Sequence, residues 1–451
     1  MASPRLLDLD EIIDSSRVAG LQIMVMALCA AVAMLDGFDT QAIAFVAPAI
    51  AASWHVDPAA FGPVFGAGLF GGLIGALALG RAGDRFGRKP VLLLAVLVFA
   101  IGSLATPGAR SVAQLIAIRF ITGLGLGGAL PCFISMTSEY APKRLRTTLV
   151  SLMFCGFPLG AVIGGIVSAR LIPAFGWESV FIGGGILPLA LLPLLMLYLP
   201  ESIRYLALRN DQVKISELLT RMQLRSNWSG QVGYHGKHAT VPVSHLFKDG
   251  RGLGTALLWI ALFCSLLMTY FLINWIPVLA HRSGMPIGTA VLAVSMLNLG
   301  SIFGCVVLGR LADRFKVALV LCCAYGCGAL AIASLGLAGE SGVLLCAVAF
   351  VVGAFSIGAQ LCTVALIAAY YETFLRATGI GWSMGIGRVG AISGPVLGGL
   401  LLGIGMNAST LFVLAGAISL IAAACVFIVG HKVLSKRPLG GAEAAPQAAH
   451  Q

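Results

Sequence analysis

Two carboxylates stand in a stretch of sequence that is otherwise apolar. Asp36 and Asp39 lie within MLDGFDTQAIAF, residues 34–45. A charged side chain at the centre of a membrane-spanning helix costs about 2.5–3.5 kcal/mol on insertion scales, so acids in such places are candidates for function. Three residues apart, the two acids share one face of a helix and are expected to titrate as a coupled pair. We predict that they carry protons; the alternative is a structural role, at a kink near Gly37 or beside a buried arginine.

Two arginines also fall inside apolar runs, and each of them needs an anion. Counting residues from the helix ends places Arg119 within about 5 Å of the depth of Asp36. Arg119 is expected to be the counter-ion of the aspartates or an anchor for a substrate carboxylate, unless it only stabilises the fold. Arg388 stands near mid-depth, with no acid inside the apolar runs of its own half of the chain. A carboxylate ligand would satisfy it through two parallel hydrogen bonds; the alternative partners are backbone carbonyls among the neighbouring glycines.

Other side chains in the apolar runs offer aromatic faces and polar groups that a ligand could contact. Aromatic rings stack on one another, and indole, phenol and amide groups form hydrogen bonds. The alternative is ordinary helix packing, which is the usual role of aromatic residues at helical spacing. The candidates are Tyr270, Asn274, Trp275, Trp382 and Gln360, with Asn298 as a similar polar residue.

The composition indicates which elements must hold these residues. Of the 451 residues, 59% are hydrophobic and 10% are charged, and the mean hydropathy is +0.97, whereas about a quarter of the residues are charged in ordinary globular domains. The chain is therefore predicted to be an all-α integral membrane protein. About twenty apolar residues cross a bilayer, and twelve such spans are predicted, at 21–47, 59–80, 90–108, 112–137, 146–170, 177–199, 252–279, 287–309, 316–337, 341–369, 377–403 and 408–430.

The twelve predicted spans divide into two halves of six. Residues 1–20 lack the basic-then-apolar pattern of a cleavable signal, so the first span is expected to remain in the protein. Placing both termini and the central loop on one side puts 24 of the 29 Lys and Arg residues there. Because cytoplasmic loops carry an excess of Lys and Arg, both termini are expected to be cytoplasmic, in a cell inner membrane. The predicted parts are an N-terminal segment, a six-helix half, a central loop, a second six-helix half and a tail, at residues 1–20, 21–199, 200–251, 252–430 and 431–451.

The two halves repeat short motifs at nearly one offset. GRAGDRFGRKP after the second span recurs after the eighth span as GRLADRFK, displaced by 229 residues. RLRTT at the start of the fifth span recurs as FLRAT at the start of the eleventh, displaced by 230 residues. The repeat predicts two parallel six-helix halves with a site at their interface, which is an architecture found among secondary transporters.

These motifs resemble those of the major facilitator superfamily. GRAGDRFGRK resembles the signature loop between spans 2 and 3 of that superfamily, and RFITGLGLGG resembles its span-4 motif. LDGFDTQ, SEYAP and NWIP are similar to the aromatic acid:proton symporter family within it. The resemblance implies the major facilitator fold and the import of benzoate-like carboxylates together with protons. The chain departs from that family after the second DR, where DRFKVALV has no histidine, so no role of that histidine is carried over.

The charged residues of the repeated loops fall at the expected membrane surface, where they would not contact a substrate at mid-depth. We predict that they latch the two halves in one state, with Asp84 facing a helix N-terminus such as that of the eleventh span. Glu139 with Arg146, and Glu372 with Arg376, are predicted to be similar gate pairs. The alternative is ordinary charge that sets membrane topology. The predicted gating set is Gly80, Asp84, Arg85, Arg88, Glu139, Arg146, Asp313, Arg314 and Arg376.

Several classes of function lack their sequence signature. The chain has no catalytic Ser/His/Asp set, His-rich metal cluster or phosphate-binding loop, so neither an enzyme nor a primary pump is expected. The eleven cysteines have no spacing typical of a metal site, and the basic residues form no stripe for nucleic acid; no cofactor, metal or nucleic acid is expected. The predicted function is transport of an aromatic carboxylate with protons by a monomer. The open alternatives are a major facilitator carrier of another organic acid, a sugar or a drug, and a substrate sensor built on a transporter fold.

Overall fold

The computed structural model describes residues 18–222, 242–337 and 341–434, together with the pairs 7–8, 13–14 and 232–233. In this part of the chain, twelve helices are long and apolar enough to cross a membrane. We number them spans 1 to 12. In chain order they are Gly20–Trp54, Pro58–Phe86, Arg88–Gly108, Val112–Tyr140, Lys143–Phe175, Glu178–Tyr198, Gly252–Arg282, Ile287–Arg314, Val317–Leu337, Gly342–Tyr370, Phe374–Gly403 and Ala408–His431.

The predicted spans agree with these helices in number and order. Spans 1 and 5 differ most in length, and span 1 continues past the predicted end at residue 47 to Trp54. Pro48 lies inside this helix, and membrane helices tolerate proline because neighbouring groups satisfy the carbonyl that proline leaves free. The helix ends at His55, whose φ of 55° is in the left-handed region.

Successive spans cross in alternate directions, so the central loop lies on the same side as the start of span 1 and the end of span 12. We call this the loop side and the opposite one the far side. On the loop side, the two-residue strands Leu7–Asp8 and Val232–Gly233 pair in parallel. Two short helices, Ile203–Leu208 and Gln212–Arg221, follow span 6 and bury apolar side chains in the core of the first half. A 3-10 helix, Val243–Phe247, precedes span 7.

Each half packs its second and fourth spans together through glycine. In the first half, a Cβ on Gly75 of span 2 would lie 2.1 Å from the carbonyl oxygen of Leu124 in span 4. In the second half, a Cβ on Gly304 of span 8 would lie 1.9 Å from the carbonyl oxygen of Ala354 in span 10. Small residues permit this close approach of membrane helices. The repeat in sequence is therefore also a repeat in helix packing.

The two halves are in contact on the far side. A Cβ on Gly62 of span 2 would lie 3.1 Å from the Cα of Gly399 in span 11. The rings of Phe65 and Trp275 meet edge to face, with centroids 5.5 Å apart. Trp275 Nε1 also donates to the carbonyl of Pro395 at 3.0 Å. These contacts join spans 2, 7 and 11 and close the far side of the bundle.

A reciprocal pair of amides joins the halves between spans 1 and 8. Gln41 Nε2 donates to Asn298 Oδ1 at 3.1 Å, and Asn298 Nδ2 donates to Gln41 Oε1 at 2.8 Å. On the loop side, in contrast, the charged residues near the membrane surface are exposed in both halves, for example Arg81, Asp313 and Arg376.

Candidate functional site

Asp39 and Arg119 form a buried ion pair within the first half. Arg119 Nη1 lies 3.2 Å from Asp39 Oδ2, and the two side chains are 2% and 1% exposed. Arg119 Nη2 donates to the backbone carbonyl of Asp39 at 3.0 Å, and the Ser103 hydroxyl donates to Asp39 Oδ1. The guanidinium also lies over the Phe181 ring, 5.8 Å from its centroid. Spans 1, 3, 4 and 6 thus hold this pair in place, and Arg119 is the counter-ion of Asp39.

Asp36 lies in a different environment, although it is only three residues away. It is 3% exposed, and the Thr40 hydroxyl donates a hydrogen bond to its Oδ1 at 3.1 Å. In the described part of the chain it has no ion pair within 4.0 Å, and it lies within electrostatic range of Arg388 and Asp39. A separation of three residues turns two helix side chains about 60° apart. Asp39 therefore points toward spans 3 and 4, whereas Asp36 points toward the second half.

Arg388 of span 11 lies half-buried at the centre of the bundle. It makes no hydrogen bond or ion pair with any residue that the structure describes, and its nitrogens are not enclosed. The backbone carbonyls of the neighbouring glycines are therefore not its partners. Its guanidinium is within electrostatic range of Asp36 and of Tyr270 in span 7. A cation and an acid, each without an ion-pair partner, thus face each other across the boundary between the halves.

The structure divides the candidates for ring recognition into two groups. Tyr270 of span 7 lies within electrostatic range of Arg388. Asn274, one helical turn further along the same span, donates its Nδ2 to the carbonyl of Tyr270 at 2.7 Å. Gln360 is 7% exposed on span 10. Trp275 is fully buried in the far-side contact between the halves. Trp382 is 46% exposed and stacks on Trp259 with centroids 6.2 Å apart, and Asn298 is occupied by Gln41.

The loop between spans 2 and 3 is held by an acid to which the sequence analysis gave no role. Glu201 Oε1 accepts from the backbone amides of Arg88 at 2.8 Å and Lys89 at 3.0 Å, which are the first residues of span 3. Arg88 in turn pairs with Asp84 within the loop and donates to the carbonyl of Gly80 at 3.4 Å. Glu201 stands in LPESIRYL, directly after span 6, and an acid at that place is the only sequence signal for this role. Glu201 therefore ties the start of the central loop to the start of span 3.

Glu139 has other partners than the predicted Arg146. Glu139 accepts from the Ser202 hydroxyl and, at 3.5 Å, from the backbone amide of Arg204. The predicted Glu139–Arg146 pair is absent because the chain breaks between spans 4 and 5, where Ala141 and Pro142 are non-helical. Arg146 keeps two buried nitrogens without a hydrogen-bond partner in the described part of the chain.

The second predicted gate pair, Glu372–Arg376, is also replaced. Glu372 Oε1 lies 3.2 Å from Arg251 Nη1, because Glu372 is the residue before the span 11 helix and reaches the start of span 7. Arg376 is exposed. The remaining predicted gating residues, Arg85, Asp313 and Arg314, are exposed on the loop side. Asp84 is 67% exposed and pairs with Arg88 in this state, so a contact with span 11 stays a prediction for another state.

Two repeated six-helix halves with unpaired charges between them are the architecture of a secondary transporter. The chain belongs to the Major Facilitator Superfamily, whose family model matches residues 29–363. It is 39% identical to the gallate transporter of Pseudomonas putida over 96% of this chain and 97% of the relative. It is also 39% identical to the 4-hydroxybenzoate transporter PcaK of Pseudomonas putida, over 89% of this chain and 91% of the relative.

The fold is similar to that of a solved transporter. The Escherichia coli xylose transporter XylE, in a partially occluded inward open conformation, matches with a TM-score of 0.68 at 18% sequence identity. The match covers 90% of this chain and 97% of XylE. The two chains therefore share the twelve-span fold. The sequence resemblance to the major facilitator superfamily is confirmed, and the named relatives at 39% identity transport aromatic acids.

Proposed function

We propose that this chain is a secondary transporter that imports an aromatic carboxylate together with protons by alternating access. The observation that carries the proposal is the unpaired Arg388, which faces the unpaired Asp36 across the two halves. The relatives named for gallate and 4-hydroxybenzoate support a substrate with a carboxylate on an aromatic ring. Arg388 binds the carboxylate, and Asp36 carries the proton.

Proton binding and substrate binding are coupled, because the carboxylates of Asp36 and of the substrate compete for the Arg388 guanidinium. When Asp36 is ionised, it attracts Arg388 and competes with the carboxylate of the substrate. A proton on Asp36 removes that competition, so Arg388 becomes free to bind the substrate through a bidentate pair. Coupling of two binding free energies is reciprocal, so substrate on Arg388 also favours the proton on Asp36. Asp39 does not take part in this exchange, since Arg119 and Ser103 already neutralise and hold it.

The placement of the contacts between the halves supports alternating access. The contacts at Gly62 with Gly399 and at Gln41 with Asn298 open when the loop side closes. In that second state, Asp84 approaches the N-terminus of span 11, where a helix dipole favours a negative charge. The excess of Lys and Arg supports a cytoplasmic loop side in an inner membrane. Under this orientation the state described here releases substrate to the cytoplasm, and a single chain suffices for the cycle.

Uptake into proteoliposomes tests the proposed function. Purified protein is reconstituted, and uptake of radiolabelled 4-hydroxybenzoate is measured with the outside made acidic relative to the inside. We expect accumulation above the equilibrium level, abolished by a protonophore. A matched experiment with radiolabelled xylose serves as the control for carriers of neutral sugars. Uptake of xylose without uptake of any aromatic acid would contradict the proposal, and binding without uptake would identify a sensor.

A further inference from the structure

Gln360 is a buried residue whose side-chain amide has no hydrogen-bond partner among the described residues. Its side chain is 7% exposed, yet it has no hydrogen bond to any residue that the structure describes. Neither atom of its amide group is completely buried. Both amide atoms therefore keep some accessible surface, although the residue as a whole is buried. Since unpaired polar groups in protein interiors are rare, this amide is available for a ligand.

The depth of Gln360 can be compared with that of Arg388, because spans 7, 10 and 11 are tied together at their loop-side ends. Tyr370, at the end of span 10, donates its hydroxyl to the carbonyl of Arg251 at 2.9 Å. Glu372, just before span 11, pairs with the same Arg251 at 3.2 Å. Counted from this common level at 1.5 Å per residue, Gln360 lies about 15 Å deep and Arg388 about 23 Å deep. The offset of about 8 Å is one that an aromatic ring with substituents at opposite ends bridges between two side chains.

The backbone before Gln360 carries an independent sign of a built site. Residues Gly353–Ile357 form a π-helical turn between the two α-helical parts of span 10. Such single turns are rare and occur frequently at functional sites, because the extra residue rotates everything that follows around the helix axis. Gln360 lies in the first α-helical turn after this segment, which begins at Gly358. The π turn thus sets the direction in which the Gln360 amide points.

We propose that Gln360 binds the ring hydroxyl of the substrate at the end opposite to the carboxylate, and that it makes this transporter selective for hydroxylated aromatic acids over benzoate. The assignment rests on the proposed function, in which Arg388 holds the carboxylate. An amide both donates and accepts hydrogen bonds, so it satisfies a hydroxyl in either direction. A site built to bond a hydroxyl discriminates strongly against the analogue that lacks it, because its own polar group is left unpaired.

Asn274, which also carries an amide, is less suited to bind the ring hydroxyl. Asn274 already donates its Nδ2 to the carbonyl of Tyr270. Counted from the start of span 7 at Gly252, it lies about 33 Å deep, so it is on the far side of Arg388, about 10 Å beyond it. By this count Gln360 lies closer in depth to Arg388 than Asn274 does, and on its loop side, so a ring bound at Arg388 meets Gln360 by extending toward the loop side.

The test compares two acids in two variants of the full-length protein. Binding of 4-hydroxybenzoate and of benzoate is measured by calorimetry for the wild type, for Gln360→Met, which keeps the volume without the amide, and for Gln360→Asn. We expect Gln360→Met to weaken 4-hydroxybenzoate about tenfold and benzoate less than twofold. Gln360→Asn should restore part of the preference. Benzoate binding in the same variant shows that the protein is folded.

The remaining outcomes would contradict either the role of Gln360 or the proposed function. Equal losses for the two acids, no loss for either, or a wild type without preference would overturn the role of Gln360 while the proposed function stands. Loss of the preference in Asn274→Leu instead of Gln360→Met would also overturn it, by moving the hydroxyl to the other side of Arg388. If the wild type bound neither acid, the proposed function itself would fail.

Discussion

The Arg119 guanidinium lies 3.2 Å from the Asp39 carboxylate, with both side chains almost completely buried. This pair separates the two aspartates of span 1 into an acid with a fixed counter-ion and an acid without one. Under the proposed function, Asp39 therefore belongs to the scaffold of the first half, whereas Asp36 exchanges the proton. Because only Asp39 has a buried counter-ion, the variants Asp39→Asn and Asp36→Asn are expected to differ in stability.

We expect Asp39→Asn to destabilise the protein strongly. The change leaves the Arg119 charge buried without its counter-ion, and breaking a buried pair from one side costs about 3–5 kcal/mol. Asp36→Asn removes no ion pair and should cost much less. Thermal unfolding of the two variants in detergent measures the difference. The double variant Asp39→Asn with Arg119→Leu should recover much of the stability; equal loss in both single variants would contradict the division between the aspartates.

Substitution of Arg388 tests how the carboxylate is held. Arg388→Lys keeps the charge but loses the planar fork, and should weaken benzoate-type acids by about 1.5–3 kcal/mol. The uncharged amide analogue of the same acid should bind poorly to the wild type and lose little further in the variant. Calorimetry with both ligands and both proteins gives the four values. Equal losses for the acid and the amide would mean that Arg388 supports the fold and does not bind the charge.

The loop between spans 2 and 3 should control turnover. Because Asp84 is exposed and far from the centre, Asp84→Asn is expected to lower the transport rate several-fold while binding affinity stays within about twofold. Glu217→Gln is the matched control, since Glu217 also pairs with an arginine one helical turn away, Arg221 at 2.8 Å, but on an exposed helix of the central loop. Uptake rates and calorimetry on both variants separate the two effects. A collapse of affinity with normal turnover would show that the loop does not latch the halves.

The reciprocal amide pair should set the balance between conformations. Asn298→Leu leaves Gln41 buried without its partner, so this contact between the halves is weakened and the state open to the far side becomes more populated. Spin labels at Ser53 and Ser283, both exposed on the far side, report the separation of the halves in a cysteine-free background. We expect the label distances to lengthen in the variant without substrate. Unchanged distances would show that the pair is not a latch.

The sequence predicted the features that depend on one helix at a time. Hydropathy located the twelve spans, and depth counting brought Arg119 to the level of the aspartates. Depth does not give direction around a helix, so it could not tell which of Asp36 and Asp39 meets Arg119. The role of Glu201 depends on how the central loop folds back onto span 3, and the partner of Glu372 depends on the start of span 7. The amide pair of Gln41 with Asn298 joins residues of different halves, and neither the short-range patterns nor the repeat predicts it.

The most direct test of the account is gradient-driven uptake by Asp36→Asn. An inward proton gradient supplies about 1.4 kcal/mol per pH unit for each proton carried, and the account requires a proton on Asp36 to use it. In proteoliposomes, the variant should lose accumulation of radiolabelled 4-hydroxybenzoate while still exchanging external labelled for internal unlabelled substrate, because Arg388 is intact and no longer faces a competing charge. Accumulation driven by the pH gradient at the wild-type rate would contradict the assignment of Asp36 as the proton carrier.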